Sequence, residues 1–307
     1  MGETTGIQWA HATFNLWRGC APVSPGCANC YASALSVRFG EGEYRQSMAR
    51  IHCSENSLHL PRRWNRRPPK AWGLQPSERG RVFNSLNDWL DDRVPIEWLA
   101  ELLIMIDGTP NLDHLLLTKR PQLFHSRLTQ VVALRDGAGS DIADLWLTGH
   151  APPNVWLGAS VEDQARADER IPLLAAIPAR IRFLSVEPLL SRIEFGLLLP
   201  PPPRPPLIHW AIIGGESDDN VTQKAPGKRR ATFARLCEPK WILDVMAQMK
   251  SDGIRVFVKQ LGSNLPIDFP PIRHPKGGDQ SEWPAEFQVR EFPAAGDPAA
   301  QRPAAVA

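Results

Sequence analysis

Seven short β-rich runs, each closing on polar residues and leading into a helical stretch, constrain this chain more than any other feature. They are ATFNLWRGC (12–20), RVFNSLND (81–88), HLLLTKR (114–120), NVWLGASVE (154–162), RFLSVEP (182–188), WAIIGGES (210–217) and RVFVKQLG (255–262). After the second, successive runs start about thirty to forty-five residues apart, the length of a βα unit. Their apolar residues are nearly continuous rather than alternating, as in strands buried on both faces of a parallel sheet. The segments between carry helix signals. EPKWILDVMAQMKSDG (238–253) has Pro239 at a first helical position and Gly253 as its stop. Its Trp241, Ile242, Val245, Met246 and Met249 share one helical face. Residues 94–108 and 120–136 also begin at or next to a proline and carry a similar stripe.

Such alternation builds either an open doubly wound sheet or a (β/α) barrel. Six to seven βα units predict an α/β fold, a partial (β/α) barrel. One barrel domain is expected over residues 1–285, with an inserted basic loop at 41–80 and a disordered Pro/Ala-rich tail at 286–307. The proline run LLLPPPPRPP (197–206) reads as a stiff surface connection. The longest apolar stretch, WLAELLIMI (98–106), is too short for a bilayer and contains Glu101, so it is expected to be a buried core helix. No membrane partner and a cytoplasmic setting follow as expectations. The N-terminus lacks a basic-then-apolar leader, and the five cysteines do not form a disulfide framework. The net charge of +2 names no polyanionic partner. Eleven tryptophans against two tyrosines find no explanation in the pattern.

In α/β barrels and open α/β sheets, chemistry gathers at the carboxyl ends of the strands. Those positions here hold Cys20; Asn84, Ser85, Asn87 and Asp88; Thr118, Lys119 and Arg120; Ser160 and Glu162; Ser185 and Glu187; Gly214, Gly215, Glu216 and Ser217; Lys259 and Gln260. Any one could be a helix cap or a solvated loop. Seven together imply a polar mouth over an apolar barrel, and a pocket. The pair Gly214 and Gly215 allows a tight turn with backbone N–H groups close to a ligand, and equally a plain strand-to-helix turn. PRRWNRRPPKAW (61–72) sets arginines beside Trp64 and Trp72. That pairing suits nucleic acid, although a solvated loop with Arg–acid pairs is the favoured reading.

Cys20, Cys27 and Cys30 follow the first run with spacing C-x6-C-x2-C. Three thiols this close point to metal. Structural zinc takes four protein ligands, and the remaining candidates, Cys53, Cys237, His11 and His52, have no recognisable spacing. Three cysteines suit a [4Fe–4S] cluster with one iron open to a ligand.

These residues carry a resemblance. The cysteine loop after a first strand of a βα barrel resembles the radical S-adenosylmethionine superfamily. The segments from IQWAHATFNLWRGCAPVSPGCANCYA through RVFNSLNDW, LLLTKRP, NVWLGASVE, RFLSVEPLL and WAIIGGES to VFVKQLG (7–262) resemble an uncharacterised phage and bacterial three-cysteine family. The resemblance implies cluster ligation by Cys20, Cys27 and Cys30, with S-adenosylmethionine chelated at the open iron. It implies contacts of the methionine amino group with Gly214, Gly215 and Glu216, or with the NSLND segment (84–88) in their place. Asn84, Asp88, Ser160 and Glu162 become further cofactor-binding candidates, and Lys119, Glu187 and Lys259 catalytic ones. The implied partners are a one-electron reductant of flavodoxin or ferredoxin type and an unidentified substrate. The first cysteine gap, six rather than the commoner three, leaves the products of cleavage open. A zinc-stabilised nucleic-acid-binding module and a barrel with a vestigial pocket are the alternatives.

Overall fold

The computed structural model describes residues 5–135, 137–196, 198–199, 207–218 and 234–293. Its centre is a curled sheet of seven parallel strands: β1 (Ala12–Thr13), β4 (Gly80–Phe83), β5 (Leu112–Thr118), β6 (Val155–Ser160), β7 (Ile181–Val186), β8 (Trp210–Gly214) and β9 (Arg255–Gln260). They neighbour one another in chain order. All seven predicted runs therefore enter one sheet, in the sequence expected of a partial barrel. The first run is the exception in detail. Only Ala12–Thr13 pairs with β4, and Trp17–Arg18 (β2) turns away to pair antiparallel with β3 (Ile51–His52).

β1 and β9 are the edges of the sheet. The free side of β9 is covered by residues 289–291 running antiparallel: Val258 N donates to Val289 O (2.9 Å) and Glu291 N to Val256 O (2.8 Å). Arg290 reaches across to Gln8 Oε1 (3.0 Å), just ahead of β1. Phe287 is 2% exposed. Residues 286–293 thus belong to the fold, which corrects the tail boundary expected at 286; residues 294–307 lie outside the described part. Most of the proline run, 197 and 200–206, lies outside it too.

Among the described residues seven helices flank the strands: α1 (Tyr31–Arg38), α2 (Glu55–Asn65), α3 (Ile96–Asp107), α4 (Phe124–Leu134), α5 (Ala138–Leu147), α6 (Gln164–Ala176) and α7 (Pro239–Ser251). α3 buries the apolar stretch read as a core helix, and α7 buries Ile242, Val245, Met246 and Met249 as its stripe requires. The 41–80 insertion is not a loop: it contains β3, α2 and a 3-10 turn at Pro69–Trp72. Pro61 and Trp64, three residues apart on α2, are buried.

Alternate residues of the strands point to opposite faces. The outer face packs on the helices, and the inner face gathers Trp9, Phe83, Leu115, Trp156, Phe183, Trp210, Ile212 and Phe257. Trp210 is the hub, with ring centroids 6.1 Å from Trp9, 5.9 Å from Trp156, 5.9 Å from Phe183 and 6.1 Å from Phe257. Here is the use of three of the tryptophans, Trp9, Trp156 and Trp210: a curled sheet of few strands encloses space that large flat rings fill. Gly158 makes room for one of them, since a Cβ there would stand 2.3 Å from the Phe183 ring. Among the described residues no helix is long and apolar enough to cross a membrane.

Candidate functional site

Above the aromatic floor the inward positions change character. Trp156 and Gly158 are followed by Ser160; Phe183 by Ser185 and Glu187; Ile212 by Gly214; and Phe257 by Lys259. Ser160, Ser185, Glu187 and Lys259 line a cavity of about 610 Å³ that also takes in Cys20, Cys27, Cys30, Tyr31, Asn84, Asp88, Lys119, Glu216 and Gln260. The polar mouth expected from the strand ends is one cavity, and all three clustered cysteines are on its wall.

The cysteine loop is held by residues far away in sequence. Gly26 N donates to Glu162 Oε1 (3.2 Å), and Glu162 is itself buried against Arg170 (2.9 Å). Asn29 donates to Glu216 Oε2 (2.9 Å). Arg235 donates to the same carboxylate and to Pro25 O (2.9 Å). Arg120 bridges Ala21 O (2.6 Å) and Asp88 Oδ2 (2.8 Å). Asp88 further accepts from the Thr118 hydroxyl and the Lys119 backbone. Burial works against ionising Glu216, but the hydrogen bonds from Arg235 and Asn29 outweigh it and hold the carboxyl below its ordinary range.

Several expected ligand contacts therefore turn out to be braces. Glu162 does not line the cavity, and both its oxygens are engaged. Asp88 and Glu216 line it with their oxygens already taken. Gly214 and Gly215 do not line it either. A Cβ on Gly215 would lie 2.3 Å from Leu261 O, so the glycine answers to the close approach of the chain leaving β9. Glu187, just past β7, and Lys259 on β9, on either side of β8, meet at 2.5 Å. Asn84 is 2% exposed and lines the cavity, yet neither atom of its amide is hydrogen-bonded.

Sequence reasoning missed Asn29, Tyr44, Arg170 and Arg235. Both tyrosines of the chain stand at the mouth: Tyr31 donates to Ser85 O (2.5 Å) and Tyr44 to Leu86 O (2.7 Å). Tyr44 also accepts from Gly19 N, fastening the insertion to the cysteine loop. No spacing signal could have found these partners.

Lys119 Nζ donates to Ser160 Oγ (3.1 Å). Burial would lower the pKa of this ammonium, but Cys27, Glu162, Cys30 and Cys20, all within its electrostatic reach, raise it above the usual value. Cys20 is pushed up by its own burial, and by Asp88 and the other two thiols. The three cysteines and Lys119 thus share the wall of one cavity. Among the described residues no group of three or more His, Cys, Asp or Glu side chains is arranged to hold a metal ion as it stands. The ligands of a single tetrahedral zinc lie roughly 3.8 Å apart, whereas cluster thiolates each bind a different iron and stand wider. None of the four fourth-ligand candidates read from the sequence lines the cavity: His52 pairs with Glu101 (3.0 Å), His11 accepts from Arg81 N (2.9 Å), and Cys53 and Cys237 are buried elsewhere; His274 does line it, its Nδ1 accepting from Gly278 N (2.9 Å).

The 61–72 segment lies away from the mouth, where Asn65 meets Asn111 ahead of β5. Trp64 is fully buried and Trp72 packs on Gly80 and against His11, with Arg67 over its ring at 5.1 Å. Trp64 is therefore not presented for base stacking, while Trp72 is half-buried.

A family model described as a protein of unknown function (DUF5131) matches residues 4–285. The chain belongs to that family. The match spans the whole barrel, the cysteine loop and the insertion, in keeping with the chain-wide resemblance over 7–262 to an uncharacterised family. No curated protein and no solved structure matches the chain.

Proposed function

We propose that this protein is an iron–sulfur enzyme of the radical S-adenosylmethionine kind. The observation that carries the reading is the position of Cys20, Cys27 and Cys30 on the wall of the mouth cavity, at the carboxyl ends of parallel strands. The donor set fits a [4Fe–4S] cluster: three thiols at one cavity, no fourth protein ligand of a recognised pattern, and a cation beside them. Bound there, such a cluster would supply one-electron reductive cleavage of a carbon–sulfur bond of S-adenosylmethionine, drawing its electron from a flavodoxin- or ferredoxin-type donor. Cys20, Cys27 and Cys30 would hold it, and Glu162, Glu216 and Arg120 would keep their loop in register. Asn84 would offer the ligand a donor and an acceptor that are otherwise unpaired. The Lys259–Glu187 pair, on the wall of the same cavity, would bind the second substrate and hand a proton between Lys259 Nζ and Glu187.

Anaerobic purification tests this directly. A brown protein with about four irons per chain is expected. Cys27→Ala should lose the colour, whereas Cys53→Ala and Cys237→Ala keep it. A colourless protein with stoichiometric zinc would overturn the reading. Incubation with S-adenosylmethionine and dithionite then shows, from the products, which carbon–sulfur bond breaks.

A further inference from the structure

The strand ends put seven charged side chains at or beside the mouth, and their pairing is lopsided. Asp88 is matched by Arg120 (2.8 Å) and Glu187 by Lys259 (2.5 Å). Glu162 is matched by Arg170 (2.9 Å) from α6, and Glu216 by Arg235. Every carboxylate has its own cation. Lys119 is left over: its one hydrogen bond goes to a neutral hydroxyl, Ser160 Oγ. A half-buried ammonium without a counter-ion is costly unless an anion belongs beside it. Lys119 lines the same cavity as Cys20, Cys27 and Cys30, and those thiols and the already paired Glu162 are the groups whose charge would act on it.

We infer that Lys119 is the counter-charge of the thiolate-bound group, a positioning residue that favours its reduction, and not a contact to the substrate. The inference rests on the proposed function. Three thiolates around a 2+ four-iron core leave a net charge of −1, and uptake of one electron makes it −2. A fixed positive charge at short range stabilises the second state more than the first, and so raises the reduction potential. Ser160 aims the ammonium: it is 1% exposed, at the carboxyl end of β6, the strand next to the one that leads into Lys119.

The test is a dithionite redox titration of the iron-loaded full chain, followed by electron paramagnetic resonance. Each molecule of loaded protein takes one electron from dithionite, which is oxidised to sulfite. Lys119→Met should shift the midpoint to a more negative potential, Lys119→Arg should restore it, and Ser160→Ala should shift it by less. Loss of iron from Lys119→Met with an unchanged circular dichroism spectrum, rescued by Lys119→Arg, supports the same role. Equal midpoints at equal iron content overturn it. So does an unchanged midpoint with weakened binding of S-adenosylmethionine, which would make Lys119 a ligand contact. Should Lys119→Met not fold, a Ser160→Ala midpoint equal to that of the parent overturns the inference. Wild-type protein that takes up no iron overturns the proposed function, and this inference with it, and is told apart by the missing colour.

Discussion

The floor and the mouth of the barrel are built by the same strands, two residues apart. On β6, Trp156 packs in the floor, Gly158 lies under Phe183, and Ser160 faces the cysteines. On β9, Phe257 packs in the floor and Lys259 stands in the cavity. The floor is held by rings in van der Waals contact, where shape decides stability. The mouth is held by ion pairs and hydrogen bonds between segments distant in sequence. A change of size should therefore hurt the floor more, and a change of charge the mouth.

The sharpest break comes in the mouth's bracing. Glu162→Ala leaves Arg170 buried without its carboxylate and frees Gly26 N. A loss of about 3–5 kcal/mol is expected in urea denaturation, together with a cysteine loop more open to proteolysis. Next comes the floor. Gly158→Ala drives a Cβ into the Phe183 ring and should cost about 1–3 kcal/mol. Ser160→Ala, two residues on, should cost only about 1 kcal/mol, the net worth of one hydrogen bond. If the two cost the same, the floor and the mouth do not differ as described.

The smallest effect is one of pH. His11 lies beside the floor with its pKa lowered to about 4, first by burial and then by the Arg81 charge. The unfolded chain takes up a proton near pH 6.5 that the folded chain refuses until about pH 4. Stability contributed by neutral His11 is therefore full above pH 6.5 and is lost as the pH falls toward 4. A His11→Asn variant should show a shallower loss of melting temperature between pH 7 and pH 5.

Much of this was legible because it is local. β5 to β9 are buried on both faces, so Leu115–Leu116 and Ile212–Ile213 stand out as unbroken apolar runs, and the polar residues after them mark the mouth. The error over α2 was also avoidable. Leu58, Pro61 and Trp64 recur every three residues, a helical stripe running through what reads as a basic loop. The roles of the acids were not legible. Gly26 lies 136 residues from Glu162, and Asn29 lies 187 from Glu216. A carboxylate at a strand end looks the same in sequence whether it awaits a ligand or already braces a loop. Only the folded chain shows that Glu162, Asp88 and Glu216 are spoken for, and that Lys119 is not.

The short antiparallel segment that covers β9 also bears on how the chain can be cut. It lies beyond the last βα unit, so β9 has no partner on that side until residues 289–291 arrive. A protein ended before residue 289 would present a row of open N–H and C=O groups, flanked by Val256 and Val258, as a template for the same strand of another copy. A C-terminal fragment from Gly262 on would part Trp283 and Phe287 from the barrel core they pack into. The cover that residues 289–291 lay over β9 is thus also a guard against self-association.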